Sequence, residues 1–231
     1  MSPDPRAVIF DLDDTLYPYH RFRLSGFAAV AARLERDYRV DATQAFRLLS
    51  HTSRGPEQGR EVQACLSAFA LAPDLLTSLI EVIRAHRPRL RLSRAAGRML
   101  RTLRSHGWRT GVLTNGPQVI QARKIAALGV ADCVDAVVYA RAHGSGAGKP
   151  EPESFQAIAR QLGVSPARSV VVGDDERCDI GGAYAAGMIP VRCLAWTSPF
   201  GSTTARAVAY QLSDIPDIVE ALVEEDRHAA A

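Results

Sequence analysis

The sequence predicts an α/β fold, a doubly wound parallel sheet carrying an inserted helical domain, and three observations lead there. Five apolar runs of strand length end in polar, Gly or Pro punctuation, at residues 7–10, 110–114, 136–139, 169–172 and 190–194. They are continuously apolar instead of alternating, as strands buried on both faces are. Helical stretches separate the last four, at residues 118–128, 152–162 and 180–186, and strand alternating with helix is the order of a doubly wound layer. Finally, about ninety residues separate the first two runs, far more than a single crossover needs.

Taken in order, the first strand, AVIF, leads straight into the acidic segment DLDDT. The long gap reads as helices over residues 24–38, 42–50, 61–69 and 74–86. In the last of these, Leu75, Leu76, Leu79, Ile80 and Ile83 keep helical spacing, and Pro73 suits a first helical turn. A helix over 93–105 then feeds the second strand. The domain reading is therefore a helical insertion, residues 18–89, in a core formed by 1–17 and 90–231. The insertion holds 11 Arg against 7 Asp plus Glu, a surplus of four positive charges. After the fifth strand a polar loop, TSPFGSTT, precedes a final helix over 216–224. Internal repeats and low-complexity segments are absent from the sequence.

Composition excludes several classes. With 231 residues, 47% of them hydrophobic and 23% charged, the chain is ordinary globular protein. The longest stretches free of Asp, Glu, Lys and Arg run 13 residues, short of the ~20 apolar residues that span a bilayer. The start, MSPDPRAVIFDLDDTL, lacks the apolar run of a secretory signal, so a soluble, cytoplasmic protein with no membrane partner is expected. Cys65, Cys133, Cys178 and Cys193 form no C-x-x-C pair and read as reduced thiols. A net charge of +3 is too mild for a nucleic-acid footprint. The basic residues are 26 Arg and only two Lys, Lys124 and Lys149, which draws attention to any lysine at a motif position.

The chemistry-bearing residues sit at strand ends. The first strand ends in Asp11, Asp13, Asp14 and Thr15, and the fourth in Asp174, Asp175, Glu176 and Asp179. Ligands of open α/β sheets bind outside the carboxyl ends of the strands, so both clusters fall on the functional edge. Two like charges about 4 Å apart in a partly buried site repel by about 4 kcal/mol. Several carboxylates in one crevice therefore call for a cation, and all-oxygen ligands favour magnesium. The second strand ends in Thr114, Asn115 and Gly116 ahead of a helix, whose backbone N–H groups suit an anion. Lys149 lies in a Gly-rich loop, HGSGAGKP, just before another helix. This is no Walker motif, because His143 stands where the first Gly belongs and Pro150 follows the lysine.

Four strand ends thus offer Asp-x-Asp, Thr, Lys and a pair of Asp residues five apart, and that set closely resembles the haloacid dehalogenase superfamily. The family motifs stand here as Asp11-Leu12-Asp13-Asp14-Thr15, Thr114, Lys149, and Gly173-Asp174 with Asp179. The resemblance runs from about Val8 to Gly187 and covers the core. It implies a Rossmann-like parallel sheet with the first strand central and an α-helical cap inserted after motif one. It further implies a magnesium-dependent phosphatase acting on a small phosphorylated metabolite, of the nucleotide or sugar phosphate class. By similarity Asp11 is the nucleophile and forms an aspartyl-phosphate. Asp13 is general acid and then base, while Thr114 and Lys149 hold the phosphoryl oxygens. Magnesium is expected between the Asp11 carboxylate, the Asp13 carbonyl and Asp174, with Asp179 completing the acidic wall through water or Lys149. Thr15 is expected to brace the motif-one loop.

Three details narrow the resemblance. The dehalogenases that name the family lack an acid two residues after the nucleophile, and Asp13 is present here. Phosphonatases of the group use a cap lysine, and residues 18–89 contain none. A phosphosugar mutase keeps both aspartates and remains an alternative, as does a non-catalytic phospho-ligand binding module. Motif four departs from the usual G-D-S-x-x-N-D in having Asp175 and Cys178; Asp175 reads as an outer metal group and Cys178 as a packed thiol. Tyr17, Tyr19, His20 and Arg21 follow motif one as entrance residues, and within the insertion His51, Arg54 and Arg60 lie in the stretch HTSRGPEQGR. Arg54 is the candidate substrate-binding arginine there, beside Asn115, Thr114 and Lys149 of the core.

Overall fold

The computed structural model of the chain describes residues 6–198 and 201–229. Residues 1–5, the Pro199–Phe200 step of the polar loop and the last two residues lie outside the described set. The chain divides into two compact units, one running to Pro18 and resuming at Arg91, the other Tyr19–Leu90.

The first unit is built on a six-stranded parallel sheet. Its strands are β1 (Arg6–Phe10), β2 (Trp108–Thr114), β3 (Ala136–Tyr139), β4 (Ser169–Gly173), β5 (Ile189–Cys193) and β6 (Ala207–Ala209), ordered β3-β2-β1-β4-β5-β6. β1 pairs with both β2 and β4, with Phe10 opposite Val112 and Val172. It is therefore interior, and its alternate residues are buried on both faces, as continuous apolarity demands. Ala7 and Ile9 join Leu113, Val138, Val171, Phe155, Ile158 and Leu162 in one cluster. The last three belong to the helix Pro152–Leu162, whose N-terminal proline fits a position where no N–H is needed. The chain lays β2 and β3 on one side of β1 and β4, β5 and β6 on the other. The reversal puts a crevice at the carboxyl end of β1.

The sheet thus has one more strand than the five apolar runs supply. β6 is a three-residue edge strand, Ala-Val-Ala, bounded by a polar loop and a helix, too short for a periodic signal. The final helix runs Ile215–Ala229, longer than the expected 216–224. The helix expected over 180–186 begins earlier, as a wide turn, Glu176–Gly181, continuing into the short helix Gly182–Ala185. The Ile180 N–H reaches back five residues to the Asp175 carbonyl, a wide-turn geometry that recurs at functional sites.

The second unit is helical: α1 (His20–Tyr38), α2 (Ala42–Thr52), α3 (Glu61–Ala68) and α4 (Leu75–Ala85). Phe27, Val30 and Leu34 of α1 pack with Leu49, Val62, Leu66 and Leu79 in a separate core. α1 begins four residues before the expected start at Leu24, so His20, Arg21 and Arg23 are helical. Among the described residues no helix is long and apolar enough to cross a membrane.

Candidate active site at the carboxyl ends of β1, β2 and β4

Asp11 follows β1 directly, and its backbone N–H still bonds to the Val172 carbonyl of β4 at 2.9 Å. Its position is thus an extension of the sheet ladder. The chain then closes a tight loop. Asp14 N–H bonds to the Tyr17 carbonyl at 2.9 Å, Leu16 N–H to Leu12 carbonyl at 3.1 Å, and Asp14 sits at φ 55°. Asp is one of the few side chains that tolerates this left-handed region. The turn leaves Asp13 half-buried beside the buried Asp11. Thr15 is fully buried, and its hydroxyl has no hydrogen-bond partner among the described residues. Its contact to the rest of the core is through its carbonyl, which accepts from Trp196 Nε1 at 3.0 Å.

Lys149 reaches the same place from the loop before the helix Pro152–Leu162. Its Nζ lies 2.5 Å from Asp11 Oδ1, 2.6 Å from Asp179 Oδ1 and 3.1 Å from the Leu113 carbonyl. Its backbone is fixed by Asn115, whose Oδ1 accepts from Lys149 N–H at 2.9 Å and whose Nδ2 donates to the Lys149 carbonyl at 3.1 Å. One donor and one acceptor site of that amide are thereby spent on the lysine loop, and the expected substrate contact would fall to its second N–H or to the Asn115 backbone. The approach requires Gly148. It lies at φ 84°, and a Cβ there would fall 2.3 Å from Asn115 Oδ1.

From β4 come Asp174 and Asp179. The wide turn swings Asp179 back over Gly173, where a Cβ would stand 2.3 Å from Asp179 Cγ. Asp179 is buried, with Oδ1 on Lys149 and Oδ2 accepting from the Asp175 N–H at 3.1 Å. Asp175 does not point inward as an outer metal group. Its Oδ1 accepts from the N–H groups of Arg177 and Cys178 at 2.9 and 2.6 Å and so caps the turn. Burial, then Asp175 and Asp179, push the Cys178 thiol above its ordinary value, which suits a packed thiol and opposes a redox role.

Oxygens of Asp11, Asp174 and Asp179 all lie within 4.8 Å of one another. Three carboxylates face one ammonium, and the electrostatics record the excess. Burial, followed by Asp179, Asp14 and Asp175, pushes the Asp174 carboxyl up to about 7 despite Lys149. Asp11 is also held well above the usual carboxylate range, by burial first; Lys149 opposes, and Asp179 and Asp13 add to it. Burial works against the Lys149 charge, yet Asp11 and Asp179 win and hold its ammonium above the ordinary lysine value. An uncompensated, all-oxygen set of this kind, Asp11, Asp174 and Asp179, has the chemistry to hold a hard divalent cation. Asp179 stands in this set with both oxygens already accepting protein hydrogen bonds, Oδ1 from Lys149 and Oδ2 from the Asp175 N–H. Asp13 contributes no side-chain oxygen to this set.

Asp13 instead faces a group that sequence reasoning left unassigned. Tyr17 Oη lies 2.5 Å from its Oδ1, while Gln121 Nε2 and Lys124 Nζ lie 3.1 and 2.7 Å from its Oδ2. Tyr17, expected at an entrance, is 1% exposed. Gln121 Nε2 also lies 2.5 Å from Thr114 Oγ1 and 2.6 Å from the Asn115 carbonyl, tying the general-acid candidate to the phosphoryl-holding candidate. A usable signal existed: Gln121 and Lys124 are three apart on one helix, Gln118–Leu128, and so share a face. Within the helical unit, Arg54 is exposed and lines a pocket of about 340 Å³ with His20, Arg23, Leu24, Ser53 and Gln58.

Comparison with known proteins agrees with this geometry. A haloacid dehalogenase-like hydrolase family model matches residues 5–187. The chain is 32% identical over 197 residues to a glyceraldehyde 3-phosphate phosphatase of Methanopyrus kandleri, covering 81% of this chain and 83% of that protein. It is 28% identical over 197 residues to a ribulose-1,5-bisphosphate 5-phosphatase of Halopiger xanaduensis, covering 79% and 82%. A HAD phosphatase structure from Thermococcus onnurineus superposes with a TM-score of 0.60 at 25% identity, over 93% of this chain and 97% of that one. With DxDxT, Thr114, Lys149 and the Asp174–Asp179 pair gathered at one sheet edge, the chain belongs to the haloacid dehalogenase-like hydrolases.

Proposed function

We infer that the chain is a magnesium-dependent phosphatase that hydrolyses a small sugar phosphate through an aspartyl-phosphate. The observation that carries this reading is the buried Asp11–Lys149–Asp179 contact beside Asp174, with an acid-base candidate, Asp13, two residues along. Relatives named for triose phosphate and ribulose bisphosphate hydrolysis favour sugar phosphates over nucleotides.

Asp11 attacks phosphorus in line. The phosphorus–ester oxygen bond breaks as Asp13 gives its proton to the departing alkoxide, leaving an acyl phosphate on Asp11. Asp13, now ionised, takes a proton from water. That water's oxygen bonds to phosphorus, the bond to Asp11 breaks, and inorganic phosphate leaves with the carboxylate restored. Lys149 holds the Asp11 carboxylate in one orientation and sets positive charge beside the transferring oxygens, and the Thr114 hydroxyl is the second proposed donor to them. When bound, magnesium offsets the negative charge shared by phosphate and carboxylates. Asp11 and Asp174, with the Asp13 carbonyl, are its proposed ligands. Arg54 of the helical unit is proposed to take an anionic or hydroxyl group of the sugar away from the reacting centre.

The test is phosphate release from a panel of phosphorylated metabolites, with and without magnesium, beside D11N. Magnesium-dependent release lost in D11N is expected, with sugar phosphates ranked first. Release that survives in D11N removes Asp11 as nucleophile. A folded, magnesium-binding protein that interconverts phosphosugars without freeing phosphate is a mutase instead.

A further inference from the structure

Both lysines of a chain that otherwise uses 26 arginines are buried on motif-one carboxylates, Lys149 on Asp11 and Lys124 on Asp13. Lys124 is 3% exposed and Gln121 2% exposed. An ammonium taken out of water is costly unless it is well matched, and Lys124 Nζ meets Asp13 Oδ2 at 2.7 Å. A packing role alone would be met more cheaply by an apolar side chain at the same place on the helix.

Counting donors shows what the match accomplishes. An ionised carboxylate offers about four acceptor sites, two on each oxygen. On Asp13, Oδ2 takes Lys124 at 2.7 Å and, at 3.1 Å, a share of the Gln121 amide that also serves the Thr114 hydroxyl and the Asn115 carbonyl, whereas among the described residues Oδ1 takes Tyr17. Both oxygens are thereby pinned, so the carboxylate plane cannot turn. Among the described residues the remaining acceptor site is on Oδ1. We propose that Lys124, with Gln121, is a positioning residue that locks the Asp13 carboxyl so that Oδ1 is the atom that gives the proton to the leaving alkoxide and recovers it from water. The inference rests on the reading of Asp13 as proton donor. The balance is unchanged by it: the Oδ1–H bond breaks as the alcohol O–H bond forms and the phosphorus–oxygen bond opens. Lys124 neither gains nor loses a proton and touches no substrate atom.

A positioning role of this kind is felt only where a leaving group needs a proton. The experiment is single-turnover release of the leaving group, with magnesium, from the panel's best alkyl phosphate and from 4-nitrophenyl phosphate, whose phenolate departs unprotonated. K124M is expected to slow alkyl release about 10- to 100-fold, within the span of general-acid catalysis, and to leave aryl release near wild type. K124R, which keeps the charge but moves its head group, is expected to show the same selective loss in smaller measure, and it carries the comparison if K124M does not fold. D13N is expected to abolish alkyl release and spare the aryl burst, and adding K124M to D13N is expected to cost nothing further. Equal losses on both esters, or none, in the Lys124 variants while D13N still discriminates overturn the role of Lys124. A D13N variant that does not discriminate removes the proton-donor reading itself.

Discussion

In the α/β unit the decisive charges are packed together out of water, two lysines against two motif-one carboxylates, with Asp174 and Asp179 alongside leaving a negative excess. The helical unit is the reverse. It carries 11 arginines and no lysine, and its pocket is lined by Arg54, exposed to water, with His20 and Arg23. Its largely buried ion pair is Arg23 with Glu61, whose Oε1 also accepts from the Gly59 N–H at 2.7 Å. Buried, fixed charge suits chemistry, since a preorganised field need not rearrange as a bond breaks. Exposed charge suits choice of ligand, because it is solvated when nothing is bound and can be altered without upsetting a core. The contrast predicts that substitutions of the buried charges in the first unit act on both stability and turnover, whereas those of the exposed pocket charges in the second act on binding.

The largest effect belongs to Lys149. K149M leaves Asp11 and Asp179 facing each other without their shared cation, and breaking a buried pair in this way costs about 3–5 kcal/mol. Phosphate release should fall by about 10³-fold or more, as when an oxyanion donor is lost. Thermal melting and turnover measured on one preparation check both. Full stability in K149M would show that the site is wetter and less matched than the geometry implies.

A smaller effect concerns pH in the metal-free protein. Asp174 stands at about 7 in the folded chain, raised from 3.8 by burial and its acidic neighbours. Between those values the folded state binds more protons than the unfolded state, so stability falls as pH rises toward 7 and levels off above it. Metal-free protein should therefore melt at a lower temperature at pH 8 than at pH 5.5. Magnesium should narrow the gap, and D174N should flatten it. A metal-free melting temperature that rises over that window would contradict the excess of negative charge at this site.

The same contrast governed what could be read from the sequence. Buried parallel strands write themselves as continuous apolar runs, so β1 to β5 were legible, and their ends located Asp11, Thr114, Lys149, Asp174 and Asp179 at one edge. β6 was not legible, because three residues at a sheet edge carry no period. Lys124 was noticed for its rarity but not placed. Its contact with Asp13 spans 111 residues and depends on the rotational phase of the helix Gln118–Leu128, which few apolar residues fix. Asn115 lay at the right strand end for a ligand contact, yet one donor and one acceptor site of its amide went to the Lys149 backbone, and loop-to-loop hydrogen bonds leave no sequence pattern. In the helical unit the arginines were visible as composition, while their division between the buried pair and the open pocket required the packing of α1 against its neighbours.

Two substitutions in the helical unit sharpen the comparison with opposite signs. R54A removes an exposed cation from the pocket, so KM for the best substrate should rise about 5- to 10-fold with kcat and melting temperature little changed, the mark of lost ground-state binding. A fall in kcat of the same size would place Arg54 with the chemistry instead. E61Q acts on the buried partner. Burial opposes the Glu61 charge, but the Gly59 and Glu61 N–H groups and Arg23 outweigh it and hold its carboxyl below the ordinary value. Glu61 therefore stabilises the fold above the usual glutamate range and loses that contribution as pH falls through its lowered value. E61Q should cost about 1–2 kcal/mol at neutral pH and make the acid limb of stability shallower. It also releases Arg23 toward the pocket, where a guanidinium without its carboxylate is free to pair with an anion. KM for an anionic substrate should then fall slightly in E61Q where it rises in R54A; a rise in both would mean that Glu61 shapes the pocket more than it neutralises it.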